Sequence, residues 1–333
     1  MVWVLFASCV LTITLAGFKL SQYADAISDK TGLGGSWVGV ILLASVTSLP
    51  ELVTGISSVT MAMTPDIAVG DIMGSCVFNL VIIVVIDFLH RPASIFSSAS
   101  QGHILSAAFG IILIAFAGFN IHLATHNSVY TVGHVGLYSP VITILYLIAM
   151  RTVFVYEKKQ LEMFADAQVD QYPELTKQQA YVRYAVAAGF IVIAGSILPF
   201  AGHKIAVQMG WYESFVGTLL IAVTTSLPEI VVTLTALRLG AVNMAIGNLF
   251  GSNLFNIFIL SVDDVFYTKG SLLANVSPTH GVSALSAVMM TGLAIVGLFY
   301  QPKTKVFKQV GWVSIFLFSI YIINSLVMYL YGV

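Results

Sequence analysis

The sequence predicts an all-α polytopic membrane protein, with ten transmembrane helices in two inverted five-helix repeats and broken helices at the midplane. Three observations carry this prediction. The 333 residues are 58% hydrophobic and 9% charged, with a mean hydropathy of +0.94, whereas about a quarter of a soluble domain is charged. Apolar runs long enough to cross ~30 Å of hydrocarbon recur along the chain. The pentapeptide TSLPE occurs twice, at Thr47–Glu51 and Thr225–Glu229.

The ten spans follow the apolar stretches in order. They are predicted at residues 2–22, 36–63, 66–89, 101–120, 128–151, 181–202, 213–238, 242–266, 277–300 and 306–330. The polar stretch 156–179 is predicted to link the first repeat, residues 1–155, to the second, residues 180–333. No basic residue precedes the first apolar stretch, so a membrane helix is favoured there over a signal peptide. A lipoprotein cleavage site before Cys9 is the weaker alternative.

The basic residues predict the orientation of the chain. Twelve of the fourteen lysines and arginines fall in loops on one side of the ten-span arrangement, and only Lys204 and Lys269 fall on the other. Because basic loops stay in the cytoplasm, we expect a cytoplasmic linker and external termini. The chain is expected to be an integral protein of a prokaryotic cell membrane. The sequence leaves its oligomeric state open, a monomer included.

The two halves share two motifs. Residues 39–51 align with 217–229 at eight identical positions of thirteen, and residues 70–79 align with 247–256. The first motif region is therefore 39–79 and the second is 217–256. Five spans in each half turn the second copy upside down relative to the first. Inverted repeats of this kind are the architecture of many secondary transporters, with the binding site at the repeat interface.

The repeated motifs place oxygen ligands at membrane depth. Pro50 and Pro228 lack an N–H, so each helix should break just before its proline, which is tolerated where protein or a wet cavity surrounds the backbone. Oxygen atoms alone suit hard cations such as calcium or sodium, and two ionised glutamates balance one calcium ion or two sodium ions. The predicted ligands are Glu51, Glu229, Thr47, Ser48, Thr225, Ser226, Ser75, Asn79, Ser252, Asn256 and the bare carbonyls of Ala44 and Ala222. The glycine pairs Gly70/Gly74 and Gly247/Gly251 should let helices approach closely.

These motifs, TSLPE with GSCVFN and then TSLPE with GSNLFN, resemble the alpha-1 and alpha-2 repeats of the sodium/calcium exchanger family, within the cation/calcium antiporter superfamily. The resemblance covers nearly the whole chain and implies alternating access, with sodium entering as calcium leaves. It implies no cofactor, and its partners are the two ions and the lipid bilayer, not nucleic acid. By position it implies the ligands Thr47, Ser48, Glu51, Ser75, Asn79, Thr225, Ser226, Glu229 and Ser252, with the carbonyls of Ala44 and Ala222.

The chain departs from the family pattern at several positions. Val46 and Thr224 stand where the family usually has glycine before TSLPE, and Asn256 stands where many members have an aspartate that can titrate. Asp71 occupies the place of Asn248 in the second repeat. It is either a further ligand or access-path charge, or a residue hydrogen-bonded where helices pack. Coupling ratio and proton sensitivity are therefore left open.

Other functions remain as alternatives to sodium-coupled calcium exchange. A proton-coupled antiporter of the same fold would require the glutamates to change protonation. A cation channel would use the carboxylates as a pore lining. An intramembrane hydrolase with Ser75 or Ser252 as nucleophile is disfavoured, since no histidine lies in the matching core segments. The absence of a Gly-rich phosphate motif disfavours an enzyme that hydrolyses ATP.

Weaker signals are interpreted conservatively. The histidines His122, His126 and His134 form a solvated loop or helix end, with a transition-metal site as the alternative. The charged residues that close spans three and eight are interpreted as interfacial, with attraction of cations toward the entrance as the alternative for the aspartate pair of span eight. These are Asp87, His90, Asp263 and Asp264. The cysteines Cys9 and Cys76 sit in apolar segments and imply no disulfide.

Overall fold

Long helices make up most of the fold. The computed structural model describes residues 1–31, 45–91, 93–126, 129–161, 174–306 and 309–332. The α-helices are α1 Val2–Thr31, α2 Leu49–Ser57, α3 Pro65–Leu89, α4 Ile95–Ser98, α5 His103–Ala124, α6 Tyr138–Leu161, α7 Lys177–Met209, α8 Glu213–Val216, α9 Ala222–Thr225, α10 Leu227–Arg238, α11 Val242–Phe266, α12 His280–Tyr300 and α13 Trp312–Tyr331. Shorter elements are π-helical turns at Ser58–Ala62 and Gly217–Ile221, a 3₁₀ turn at Leu272–Ala274, and a hairpin of β1 Thr131–Val132 and β2 Val135–Gly136.

The apolar helices match the predicted spans. Eight helices of the described ranges are long and apolar enough to cross a membrane, and the bent pair Glu213–Thr225 and Leu227–Arg238 makes a ninth. Each of the nine overlaps one predicted span. The one remaining predicted span is 36–63, the second in chain order, and the structure describes it only from Ser45 onward. The count of ten spans and the inverted arrangement therefore stay predictions.

Two predicted boundaries were wrong. The span predicted from residue 128 begins at Tyr138, because the apolar residues before it form the β-hairpin, whose turn uses Gly133 at φ 65°. The span predicted from residue 306 begins at Trp312, because Val306 pairs with Val310 in an isolated bridge. In both cases apolar residues before the helix pair their backbone groups in a hairpin or a β-bridge and do not extend the helix.

The centre of the fold is formed by α3 and α11. In the most apolar 18-residue stretch of each of these two helices, 72% is buried inside the protein, compared with 22% for α1 and 28% for α13. A helix that is apolar all round is one that belongs inside a larger structure. The motifs Gly70–Asn79 and Gly247–Asn256 thus lie on the two most enclosed helices, whereas α1 packs on α7 at the periphery.

The first glycine pair allows the close approach that the sequence predicts. A β-carbon on Gly70 would lie 3.0 Å from Cα of Gly217, and one on Gly74 would lie 2.7 Å from Cβ of Ala222. At Gly70 and Gly74, helix α3 therefore lies directly against the π-helical turn Gly217–Ile221 and against α9. The second pair shows no comparable backbone contact among the described residues, where a β-carbon on Gly247 would lie 3.3 Å from Cε1 of His103 and one on Gly251 would have no heavy atom within 4 Å.

We expect Gly74→Ala to lower the free energy of unfolding by about 1–3 kcal/mol, because the added methyl overpacks a contact made by backbone. The measurement is thermal unfolding of the purified protein in detergent. Gly292→Ala on α12 is the matched control, since no heavy atom lies within 4 Å of a β-carbon there. Equal melting temperatures for both variants would show that this approach is not tight.

Candidate cation-binding site

Both TSLPE copies interrupt a helix at the serine. Ser48 has φ −89° and ψ 16°, and Ser226 has φ −83° and ψ 7°. Each proline then falls in the first turn of the next helix, where its missing N–H is not needed. The second copy bends the span by 43°. The predicted break just before the proline is confirmed in the second copy and is matched by the same turn in the first.

The two glutamates follow directly after these breaks. Glu51 lies in the first turn of α2 and Glu229 in the first turn of α10, and both are 0% exposed. The amino-terminal end of a helix favours a carboxylate there. The Ser48 hydroxyl donates to Oε1 of Glu229 at 3.0 Å, and the Ser226 hydroxyl donates to Oε1 of Glu51 at 3.1 Å. Each glutamate therefore contacts the broken turn of the other half.

The serines of the second motifs complete this exchange. Ser252 donates to Oε1 of Glu229 at 3.3 Å, and Ser75 lies 3.5 Å from Oε1 of Glu51, a long contact. The hydroxyls of Ser226 and Ser75 are 3.0 Å apart, and those of Thr47 and Ser252 are 3.4 Å apart. Hydroxyl groups from four different segments thus surround the two carboxylates.

Several oxygens in this cluster have no hydrogen-bond partner among the described residues. They are Oε2 of Glu51, Oε2 of Glu229, Oδ2 of Asp71, Oδ1 of Asn79 and the side-chain oxygen of Asn256. A buried carboxylate oxygen without a partner is costly, and a bound cation removes that cost. These atoms are the ones that the structure leaves available to a cation.

Asp71 joins the cluster as a third carboxylate. It is 0% exposed and accepts a hydrogen bond of 2.7 Å from the Thr225 hydroxyl. The Ser75 hydroxyl lies between it and Glu51, at 3.5 Å from Oδ1 of Asp71 and 3.5 Å from Oε1 of Glu51. The hydrogen bond from Thr225 agrees with the interpretation of a residue bonded where helices pack, here α3 on α9. Oδ2 has no hydrogen-bond partner among the described residues, and a ligand role for Asp71 stays a prediction.

Asn253 is a component that sequence reasoning missed. Asn79 donates to its Oδ1 at 3.0 Å, and the Asn253 amide donates to the carbonyl of Cys76 at 3.1 Å. This pairing connects α3 to α11 beside the glutamates. The signal was present in the repeat, where Asn253 stands at the position of Cys76 as an additional amide inside an apolar span.

The predicted backbone ligands fare differently. The carbonyl of Ala222 is not bare, because it accepts the N–H of Ser226 at 3.1 Å and lies 3.2 Å from the Thr225 hydroxyl. The helix continues to that hydrogen bond before it breaks, so the unwound segment is shorter than predicted. Ala44 lies outside the described residues. In the described ranges, no three His, Cys, Asp or Glu side chains are arranged so that they could hold a metal ion by themselves. A cation at the three carboxylates would therefore also use hydroxyl and amide oxygens.

The aspartates Asp87 and Asp264 are not interfacial charges, which corrects the prediction. Both are 0% exposed. Oδ2 of Asp264 accepts the Gly136 N–H at 2.8 Å and the Ser139 hydroxyl at 2.5 Å, and its Oδ1 accepts the Leu272 N–H at 2.7 Å. It therefore anchors the start of α6 from the end of α11.

Asp87 repeats this pattern from the end of α3. Its Oδ2 accepts the Gly311 N–H and the Ser314 hydroxyl, both at 2.7 Å, and its Oδ1 accepts the Ile95 N–H at 2.7 Å. Lys305 donates to the carbonyls of Asp87 and His90, and desolvation lowers the pKa of Lys305 while Asp87 opposes that shift. Each half thus holds the first turn of the other half's last span.

Asp263 is the third correction, whereas His122 in the last turn of α5 and His126 just after it agree with the expected solvated helix end. Asp263 is 0% exposed, and within the part of the chain that the structure describes neither carboxylate oxygen has a hydrogen-bond partner. Its Oδ1 would lie 2.7 Å from a β-carbon on Gly55, so a buried packing contact replaces the predicted interfacial position. The rings of His122 and His126 lie edge to face at 5.2 Å, and no group of three metal-binding side chains includes them in the described ranges.

Comparison with known proteins agrees with this geometry. The family model described as "Sodium/calcium exchanger protein" matches residues 1–156 and 180–330. An uncharacterised membrane protein of Methanocaldococcus jannaschii is 25% identical over 301 residues, 90% of this chain and 89% of its own length.

Two solved structures share the fold. An H⁺/Ca²⁺ exchanger, CAX, superposes with a TM-score of 0.72 at 15% identity, over 98% of this chain and 82% of that one. The sodium–calcium exchanger NCX_Mj superposes with a TM-score of 0.60 at 20% identity, over 97% and 96% of the two chains. Since the family model covers nearly the whole chain, the protein belongs to the sodium/calcium exchanger family, a family of membrane transporters.

Proposed function

We propose that the protein is a secondary active antiporter that exchanges calcium for sodium across the membrane by alternating access. The observation that carries this proposal is the reciprocal pairing of Ser48 with Glu229 and Ser226 with Glu51. It brings the carboxylates of the two repeats to one buried place. A cation held there touches both halves, so a movement of one half against the other changes the side from which the cation is reached.

The chemistry of the cluster favours hard cations. Calcium takes 6–8 oxygen ligands and sodium also prefers oxygen, and the cluster offers carboxylate, hydroxyl and amide oxygens. Glu51 and Glu229, when ionised, balance one calcium ion or two sodium ions. The same oxygens can then serve either ion in turn, which is what exchange requires.

Asp71 extends the proposal. Asn256 contributes an amide that cannot titrate, whereas Asp71 adds a third carboxylate with one free oxygen on the opposite helix. We assign Asp71 to the site as a charge that offsets one additional monovalent cation or proton when calcium is bound. Because its equivalent is Asn248, this charge is present in only one of the two repeats.

The moving elements in this proposal are the first and sixth spans, α1 and α7. A β-carbon on Gly17 of α1 would lie 2.9 Å from Cβ of Pro228, and one on Gly195 of α7 would lie 3.0 Å from Cγ1 of Val53. Because glycine has no side chain, both helices can pack closely against the broken spans at these positions. Sliding of α1 and α7 against the rest would uncover the site on alternate sides.

Proton-coupled calcium exchange is the second candidate. The observation that favours it is the similarity to CAX, an H⁺/Ca²⁺ exchanger, together with three carboxylates buried in one cluster. Protons in place of sodium would neutralise the same groups. The site residues and the alternating-access mechanism would be the same, so only the coupling ion distinguishes the two candidates.

Calcium flux under imposed gradients tests the coupling. We expect proteoliposomes loaded with sodium and diluted into sodium-free buffer to take up calcium, with membrane voltage clamped and pH equal on both sides. A pH gradient without sodium should drive much less uptake. The control is liposomes without protein. Uptake driven by the pH gradient alone would replace sodium by protons, and rapid flux without any counter-ion would indicate a channel.

A further inference from the structure

We propose that an anionic phospholipid, from the leaflet on the side of the central linker, binds in a groove between α1 and α7. The groove encloses about 470 Å³, a volume typical of small-ligand sites. One wall is a single face of α1 from Thr12 to Tyr23, and the other is a face of α7 from Val182 to Phe190. Both helices are membrane spans by length and composition.

Most of the groove is apolar and open to the bilayer. Leu15, Val186 and Phe190 line it and are 60%, 55% and 54% exposed. The helical rise from Thr12 to Tyr23 is about 16 Å, roughly half of the ~30 Å hydrocarbon core. The groove therefore has the length of one leaflet and fits a single acyl chain.

Two cations, Lys19 and Arg183, line the linker end of this groove. The guanidinium of Arg183 is 6.0 Å from the centre of the Tyr23 ring, and Nζ of Lys19 is 3.2 Å from Oε1 of Gln22. In the described part of the chain, neither cation forms an ion pair with a carboxylate. Their charge is therefore available to an anionic headgroup.

The arrangement of charge selects the ligand. Arg183 follows the central linker closely, so the cationic end lies on the side that the basic residues predict to be cytoplasmic. That leaflet carries anionic lipids, and basic pockets between transmembrane helices bind their headgroups. A zwitterionic lipid has no net negative charge and gains less from Lys19 and Arg183.

A lipid in this groove would act on the exchanger through its walls. Gly17 on α1 packs against Pro228, and Gly195 on α7 packs against Val53. The groove thus separates two helices that both rest on the broken spans. If the protein is the antiporter proposed above, which this consequence assumes, the bound lipid changes the rate at which α1 and α7 move.

Native mass spectrometry in detergent tests the binding step without any transport. We expect the protein to retain added phosphatidylglycerol in preference to phosphatidylcholine with the same acyl chains. Loss of both charges in Lys19→Gln/Arg183→Gln should weaken phosphatidylglycerol binding about 30-fold. The control is Lys204→Gln/Lys269→Gln, which removes two basic residues from the other side. Equal retention of the two lipids, or unchanged binding by the first double variant, would overturn the proposal.

Exchange in vesicles separates this inference from the proposed function. We expect sodium-driven calcium uptake to differ at least about twofold between phosphatidylcholine vesicles with and without phosphatidylglycerol, and the difference to vanish in Lys19→Gln/Arg183→Gln. An equal melting temperature of this variant in detergent shows that it is folded. Selective lipid binding without sodium-driven uptake would contradict the antiporter alone, and uptake without selective binding would contradict the lipid site alone.

Discussion

Replacing Glu51 or Glu229 by glutamine is expected to abolish calcium transport while the protein still inserts and folds. Glutamine keeps the shape of the side chain, and its Oε1 can still accept the serine hydroxyl at the broken turn. The substitution removes one of the two negative charges, of which each repeat contributes one. Loss of one partner from a buried charge pair costs about 2–5 kcal/mol, roughly 30-fold to several thousandfold in affinity. Calcium uptake into proteoliposomes under a sodium gradient measures the effect.

Glu174→Gln is the matched control, because it makes the same change at an exposed position of the linker. Its uptake should equal that of the unchanged protein. The three variants should give the same elution profile in detergent, which separates loss of function from loss of folding. Retained calcium exchange in both Glu51→Gln and Glu229→Gln would show that the ion binds elsewhere.

The second large effect is expected at Asp264. Asp264→Asn leaves one acceptor oxygen where the carboxylate serves the N–H groups of Gly136 and Leu272 and the hydroxyls of Tyr138 and Ser139. Each buried donor left unpaired costs about 1–3 kcal/mol. We expect the melting temperature in detergent to fall by about 5 °C or more, because the start of α6 is no longer held.

Asp263→Asn provides the control at the neighbouring position. Asp263 is equally buried on the same helix, but its carboxylate oxygens have no hydrogen-bond partner in the described ranges. The same substitution should therefore keep or raise the melting temperature, since it removes a buried carboxyl group without breaking a bond. If Asp264→Asn were as stable as Asp263→Asn, the hydrogen bonds of Asp264 would not anchor the helix.

Much of the site could be predicted because its main motif occurs in both halves of the sequence. The repetition of TSLPE indicated paired glutamates, and proline chemistry located both breaks within two residues of where the structure has them. Helix positions also followed well, since long apolar runs allow few other structures in a membrane. The starts of α6 and α13 were not predicted correctly, because whether the residues before them form a hairpin or a β-bridge depends on contacts with other parts of the chain.

The remaining features depend on contacts between distant segments. Spacing along a helix cannot show that Ser48 turns toward Glu229 and not toward Glu51, since that choice is made by how the two halves meet. Asp87 and Asp264 were interpreted as interfacial because they close their helices, yet their partners Gly311 and Gly136 lie 224 and 128 residues away in the sequence. A closer comparison of the repeats would have found them, because they occupy equivalent positions.

Equilibrium binding of radioactive calcium to the purified protein in detergent tests whether Glu51 and Glu229 hold one cation jointly. We expect one calcium ion per chain, displaced by sodium, with binding lost in Glu51→Gln and equally lost in Glu229→Gln. Two calcium ions per chain, with one retained in each variant, would contradict it, because each repeat would then bind an ion of its own.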